Sequence, residues 1–203
     1  GPGGSGASAV AGGPNTLQPP PAGALLRRPA QLRGELTSSA AHRRVIVQLL
    51  DPVRGWTTVA HATADAGGNF TATVRPQRVG RFQIRALQPG RAKASSVTPT
   101  AVLEVLKPVR ATWFGPSDSG SSSQKAQATA CGEPLTAQLL GVAHRTLPCG
   151  TIVDISYGGR SISVPVVDRG PYVRGVTLDL TQAAAQALGF DGSAYVGALA
   201  VGL

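Results

Sequence analysis

The chain has 203 residues and a mass of 20.6 kDa, room for one large or two small domains of about 100 residues each. Only 14% of the residues are charged and 4% aromatic, while 26 Gly and 16 Pro punctuate the whole length. Long charge-laced helices and coiled coils are thereby excluded, and a turn-rich β protein in two domains is expected. The formal charge of +9 is one-sided: residues 1–108 carry 13 basic and four acidic side chains, residues 109–203 six of each.

That asymmetry predicts different surroundings for the two halves. A basic, well-solvated domain needs no partner, but screened Coulomb attraction would also bring it to a polyanion. Nucleic acid is not the expected partner, because the basic residues are scattered along strands and few aromatic rings are available to stack on bases. An anionic cell-wall polymer would serve the basic N-terminal domain equally well. The longest apolar stretches, Val45–Leu50 and Ala194–Val201, fall well short of the roughly 20 residues of a spanning helix, so no membrane span is expected.

In chain order, residues 1–23 are mostly Gly, Pro, Ser and Ala and are expected to be a flexible leader. They lack the charged-then-apolar pattern of a secretion signal, which is expected to have been removed. Strands are predicted at 32–37, 44–50, 56–62, 69–74, 81–87 and 101–106. Val45, Val47 and Leu49 share one face, as do Phe70, Ala72 and Val74, and again Phe82, Ile84 and Ala86, the alternation of half-buried strands. Tight-turn chemistry at Asp51 to Gly55 and Asp65 to Asn69 completes the pattern of an immunoglobulin-like β-sandwich over 24–108. Pro108 marks the expected boundary.

The second domain, 109–203, opens with a polar run, Ser117 to Gln127, read as a loop or a cleft rim. Strands are predicted at 140–143, 151–156, 161–167 and 194–201. One helix is predicted over 182–188, with Thr181 as its N-cap and Gly189 at the left-handed position that ends it. Cys131 and Cys149 are the only cysteines. Without a CxxC or Cys/His cluster a structural zinc site is not expected, and a disulfide between them is the natural pairing; no cofactor is expected either. Such bonds persist outside the cytoplasm, so a secreted or periplasmic, envelope-associated protein is expected.

Five segments occur in series: Ala111-Thr112-Trp113-Phe114-Gly115, Thr129-Ala130-Cys131-Gly132-Glu133, Gly141 to Pro148 around His144, Val167-Asp168-Arg169-Gly170-Pro171-Tyr172, and Leu178-Asp179-Leu180-Thr181. Together they resemble the rare lipoprotein A (RlpA) family, from near Ala111 to the C-terminus. The resemblance implies a six-stranded double-psi β-barrel, a fold shared with expansins and barwin-like proteins. It further implies lytic transglycosylase activity on peptidoglycan glycan strands. The first domain is only loosely similar to bacterial immunoglobulin-like modules. The Cys149 position departs from the usual RlpA pattern, and the pairing is more similar to expansin-like relatives, which bind or loosen polysaccharide. A non-catalytic wall module, or a secreted inhibitor retaining the scaffold, therefore stays open beside the enzyme.

Glycosidic cleavage needs a carboxylic acid to protonate the departing oxygen and a partner for the charge developing on the sugar. Asp168 stands where an apolar strand gives way to the turn at Gly170-Pro171, a typical place for a functional side chain and also for an Asp that merely caps its own turn. The resemblance makes it the catalytic acid/base, with His144 orienting it or donating to substrate and Glu133 as a second cleft carboxylate. Thr129, Arg169, Tyr172 and Arg174 are candidate glycan contacts. Asp179 is a further candidate, although a charge just before the Thr181 cap also favours the helix dipole. Trp113 and Phe114 read as core or cleft-wall residues.

Overall fold

A computed structural model describes residues 15–36, 42–90, 96–119, 127–200 and 202–203. In chain order the strands are β1 (Thr16–Gln18), β2 (Ala24–Leu25), β3 (Ala30–Glu35), β4 (Arg44–Asp51), β5 (Gly55–Thr63), β6 (Asn69–Val74), β7 (Gly80–Leu87), β8 (Ala101–Phe114), β9 (Val142–Ala143), β10 (Ile152–Tyr157), β11 (Arg160–Asp168), β12 (Leu178–Thr181) and β13 (Ala194–Leu199). The helix α1 covers Gln182–Leu188, between β12 and β13. Among the described residues the chain divides into two compact units. One is drawn from residues up to Pro19, Gln31–Val74 and Gln83–Val102, the other from Pro20–Ala30, Arg75–Phe82 and Leu103–Leu203.

The first unit holds one sheet in the order β1-β3-β6 and the antiparallel pairings β4–β5 and β4–β7. The alternation read from the sequence has its physical counterpart here: Phe70, Ala72 and Val74 are buried while Asn69, Thr71 and Thr73 are exposed. Two expectations are corrected. Residues 16–18, read as part of a flexible leader, form β1 against β3, because Leu17 is buried and one such anchor outweighs a leader-like composition. Residues 1–14 of that leader, and most of the polar run from Ser117 to Gln127, lie outside the described residues. The strand predicted to end at Leu106, before Pro108, instead runs on as the 14-residue β8 with Pro108 opposite Gly197; proline brings no N–H to the ladder, and pairing with β13 continues on both sides of it from Lys107 to Ala111.

In the second unit six strands close on themselves. β8 pairs in parallel with β12, β12 antiparallel with β9, β9 in parallel with β11, and β11, β10, β13 and β8 follow as antiparallel neighbours. A closed barrel leaves no unpaired edge. Its interior is filled by Val142, Val153, Ile155, Val164, Val166, Leu178, Leu180 and Val196, with Ala184, Ala185 and Leu188 of α1 joining the same core. The Thr181 side chain accepts from the Ala184 amide as N-cap, and Gly189 ends the helix at φ 65°.

Gly141 lets two barrel segments approach. Its amide donates to Thr181 Oγ1, and its carbonyl accepts from the Thr181 amide. A Cβ there would fall 2.5 Å from Val167 Cγ2, 2.6 Å from Cγ1 and 3.1 Å from the Pro165 carbonyl oxygen. Gly141→Ala is therefore expected to destabilise the barrel by about 1–3 kcal/mol, read as a lower urea midpoint at unchanged slope.

Candidate functional site

The site lies where β9 and β11 end side by side. Asp168 is the last residue of β11 and pairs with Ala143 of β9 after a register shift between Val166 and Asp168. Ala143 also pairs with Asp179 of β12, and Asp179 with Thr112 of β8. Asp168, Ala143, Asp179 and Thr112 thus form one cross-strand row, with roughly 10 Å between the Cα atoms of the two carboxylates. Asp179 Oδ1 accepts from the Thr112 hydroxyl at 2.7 Å, which commits that oxygen to the wall of the barrel.

Asp168 is half-buried. Its Oδ1 accepts from the Ala130 amide and from its own neighbour's amide, Arg169 N, each at 2.8 Å. Capping the turn does not use the whole carboxylate. One oxygen caps and is fixed, while Oδ2 receives no hydrogen bond among the described residues.

His144 follows β9, and its amide donates to the Asp168 carbonyl at 3.2 Å, so the two backbones touch. Its ring Nδ1 accepts from the amides of Thr146 at 3.2 Å and Leu147 at 3.0 Å. An Nδ1 that accepts twice carries no proton, which leaves Nε2–H as the donor of a neutral ring. Burial first, then the positive charges of Arg145, Arg169 and Lys107, lower the His144 pKa below its ordinary value. Because the folded value lies below the unfolded one near 6.5, the unfolded chain takes up the proton first on acidification. This stabilising contribution is complete above about pH 6.5 and is lost as the pH falls toward and through the folded value. His144→Asn, whose amide oxygen can accept from the same two N–H groups, is expected to flatten that part of the stability profile, measured by urea unfolding between pH 4.5 and 7.5.

Thr129 and Glu133 close the turn that delivers the Ala130 amide. The Thr129 amide donates to the Glu133 carbonyl at 2.8 Å, and the Glu133 amide to Thr129 Oγ1 at 3.2 Å. Glu133 is exposed and Thr129 buried. The Cys131–Cys149 disulfide is formed, with 5.7 Å between Cα atoms, and the Cys131 amide donates to the Val167 carbonyl just before Asp168. The turn carrying Glu133, the loop carrying His144 and the end of β11 are thus brought together.

Two arginines cross-brace the loops. Arg169 donates through Nη1 to the carbonyls of His144 at 3.2 Å and Leu147 at 2.8 Å, and through Nη2 to Cys149 Sγ. Arg145 donates in return to the carbonyls of Pro171, Val173 and Val176. Several Arg169 donors are therefore engaged with the 144–149 loop. Arg145 stood inside one of the motifs but was not among the candidate site residues; only its backbone partners reveal its role. Tyr172 is 80% exposed, on the segment Arg145 braces, beside exposed Arg174, and Trp113 packs partly buried against the barrel core. Among the described residues no group of three or more His, Cys, Asp and Glu side chains could hold a metal ion, and no helix is long and apolar enough to cross a membrane.

Comparison with known proteins adds to this geometry. A protein family described as "Lytic transglycolase" matches residues 107–198. A probable endolytic peptidoglycan transglycosylase RlpA of Synechocystis sp. is 36% identical over 104 residues, covering 50% of this chain and 30% of that protein. The protein of the same name from Aquifex aeolicus is 43% identical over 81 residues, 39% of this chain and 33% of that one. The chain thus spans about a third of the length of these two curated relatives. Among solved structures, Streptomyces papain inhibitor is 28% identical, with 45% of this chain and 89% of that chain covered at a TM-score of 0.34.

Proposed function

We propose that this chain, whose residues 107–198 form an RlpA-like double-psi β-barrel domain, is a peptidoglycan lytic transglycosylase acting outside the cytoplasm. The observation that carries the proposal is the state of Asp168: one carboxylate oxygen held by two amides, the other without a hydrogen bond among the described residues, with the His144 amide bonded to its carbonyl. In this scheme Asp168 Oδ2 carries the proton to the glycosidic oxygen between N-acetylmuramic acid and N-acetylglucosamine. The C1–O bond breaks as the sugar's own 6-hydroxyl attacks C1, and the hydroxyl proton passes to the carboxylate. One acid is consumed and regenerated, a 1,6-anhydro end forms, and no water, metal or cofactor enters.

His144 Nε2–H is the donor for a glycan hydroxyl or for Asp168, and Glu133 a further polar group of the same cleft. Tyr172 and Arg174 on the braced segment, with Thr129, Arg169 and Asp179, are proposed to line the glycan path. The strands of residues 24–108 we read as an immunoglobulin-like sandwich that adds affinity for the wall. The test is mass spectrometry of purified sacculi digested with the full chain: anhydro-ended fragments are expected, and none from either intact or peptide-stripped glycan would leave a module that binds or loosens wall glycan without cutting it. Engagement of Arg169 with backbone carbonyls is the observation that keeps this second reading in view.

A further inference from the structure

Five of the chain's arginines lie on two short segments of the barrel unit, residues 20–30 and 75–82, which contain no Asp or Glu. The fold presses these segments together. The Arg27 amide donates to the Pro76 carbonyl at 2.8 Å, and Arg75 Nη1 to the Arg27 carbonyl at 3.2 Å. Arg27, Arg28, Arg75 and Arg78 are all exposed. The fifth, Arg81, pairs with both Glu104 and Asp154, so the neighbouring carboxylates are already taken. Among the described residues no carboxylate pairs with Arg27, Arg28 or Arg75.

The arrangement works against stability in two ways. Like charges are concentrated on two touching segments, and Arg27 adopts a left-handed φ of 59°, a strain of about 1 kcal/mol or more for a residue with a Cβ. Neither feature builds the core. We propose that Arg27, Arg28, Arg75 and Arg78 form a docking site for a phosphodiester-linked anionic polymer of the cell wall. The planar guanidinium fork grips phosphate oxygens in pairs, and the patch contains no Lys, whose ammonium lacks that geometry. The Arg78 guanidinium lies over the Phe82 ring at 5.5 Å, which limits the orientations it must give up on binding. Leu25 and Val79 are the exposed large apolar side chains on these segments, at 36% and 37%, too little surface for a membrane anchor. No exposed aromatic ring lies there to stack on a base. The wall as the polymer's location rests on the extracytoplasmic placement proposed above.

The experiment uses the full chain and linear inorganic polyphosphate of defined length, followed by calorimetry across a salt series. The intact chain is expected to bind with an affinity that falls steeply with salt. The triple variant Arg27→Gln/Arg28→Gln/Arg75→Gln should lose at least about tenfold and show a shallower salt slope. A control with the same charge change elsewhere, Arg33→Gln/Arg44→Gln/Arg54→Gln, should lose less than about threefold, and vesicles rich in phosphatidylglycerol should bind more weakly than polyphosphate. No binding by the intact chain, equal losses in the two triple variants, or tighter binding to the vesicles would overturn the proposal. Release of anhydro-ended fragments from polymer-stripped sacculi is expected to be unchanged in the Arg27 triple variant, so failure of the patch and failure of the transglycosylase proposal are told apart.

Discussion

Asp168→Asn is expected to lower the rate of anhydro-fragment release by about a thousandfold while leaving sacculus binding within about threefold of the parent. The asymmetry of the carboxylate makes this substitution informative. Asparagine can keep an oxygen where Oδ1 accepts from Ala130 N and Arg169 N, so the turn stays capped and the loops stay in place. Its amide nitrogen then occupies the Oδ2 position and can neither deliver nor recover a proton at the glycosidic oxygen. Asp168→Ala would instead remove the cap together with the acid and mix a folding defect with a catalytic one. His144→Asn should cost less, about ten- to a hundredfold, because its oxygen can still accept from the Thr146 and Leu147 amides while no donor reaches the Nε2 position, and the proton carrier remains. Cleavage by Asp168→Asn above a tenth of the parent rate would move the proton donor elsewhere, and Glu133, on the turn bonded to Asp168 through Ala130, is the next carboxylate to replace.

What the sequence disclosed and what it withheld divide along physical lines. Period-two alternation located β4, β6 and β7 to within a residue or two, and α1 matched its predicted limits because its cap, its Ala-rich body and its terminal glycine are all local signals. The series of motifs from Ala111 onward pointed to the RlpA-like barrel, and the family match at 107–198 agrees. Short strands escaped: β1 and β2 have three and two residues and exist only through β3 and β8, so no periodicity could reveal them. β8 was cut short at Pro108 because a local rule about proline carries no information about the partner strands that hold its far half. At the site, residue types were legible but commitments were not. Arg145 and Arg169 look alike in sequence as surface cations, and only the structure reveals the backbone carbonyls that each of them reaches. The basic excess was visible as a sum, while its concentration on two touching turns depends on contacts between segments 48 residues apart.

The Cys131→Ser/Cys149→Ser double variant is expected to be less stable by about 3 kcal/mol, from the entropy that an 18-residue separation restores to the unfolded chain. For a protein of this size that corresponds to a melting temperature lower by roughly 6–12 °C. A second effect follows from where the bond sits. Cys131 is one residue beyond Ala130, whose amide fixes Asp168 Oδ1, and Cys149 is one residue before Gly150, whose amide donates to the Val166 carbonyl. The bond therefore ties the turn carrying Ala130 to the loop after His144 across the end of β11. Without it, the Ala130 amide is held through Cys131 N to the Val167 carbonyl and the Thr129–Glu133 turn alone. Fragment release at saturating sacculi should then fall about tenfold at a temperature where the variant is fully folded, with binding little changed and the parent rate restored by reoxidation when dithiothreitol-treated parent replaces the variant. An unchanged melting temperature would mean that residual structure already confines this loop in the unfolded ensemble. A lower melting temperature with an unaltered rate would mean that Arg169, reaching His144 and Leu147 from the other side, suffices to hold the carboxylate.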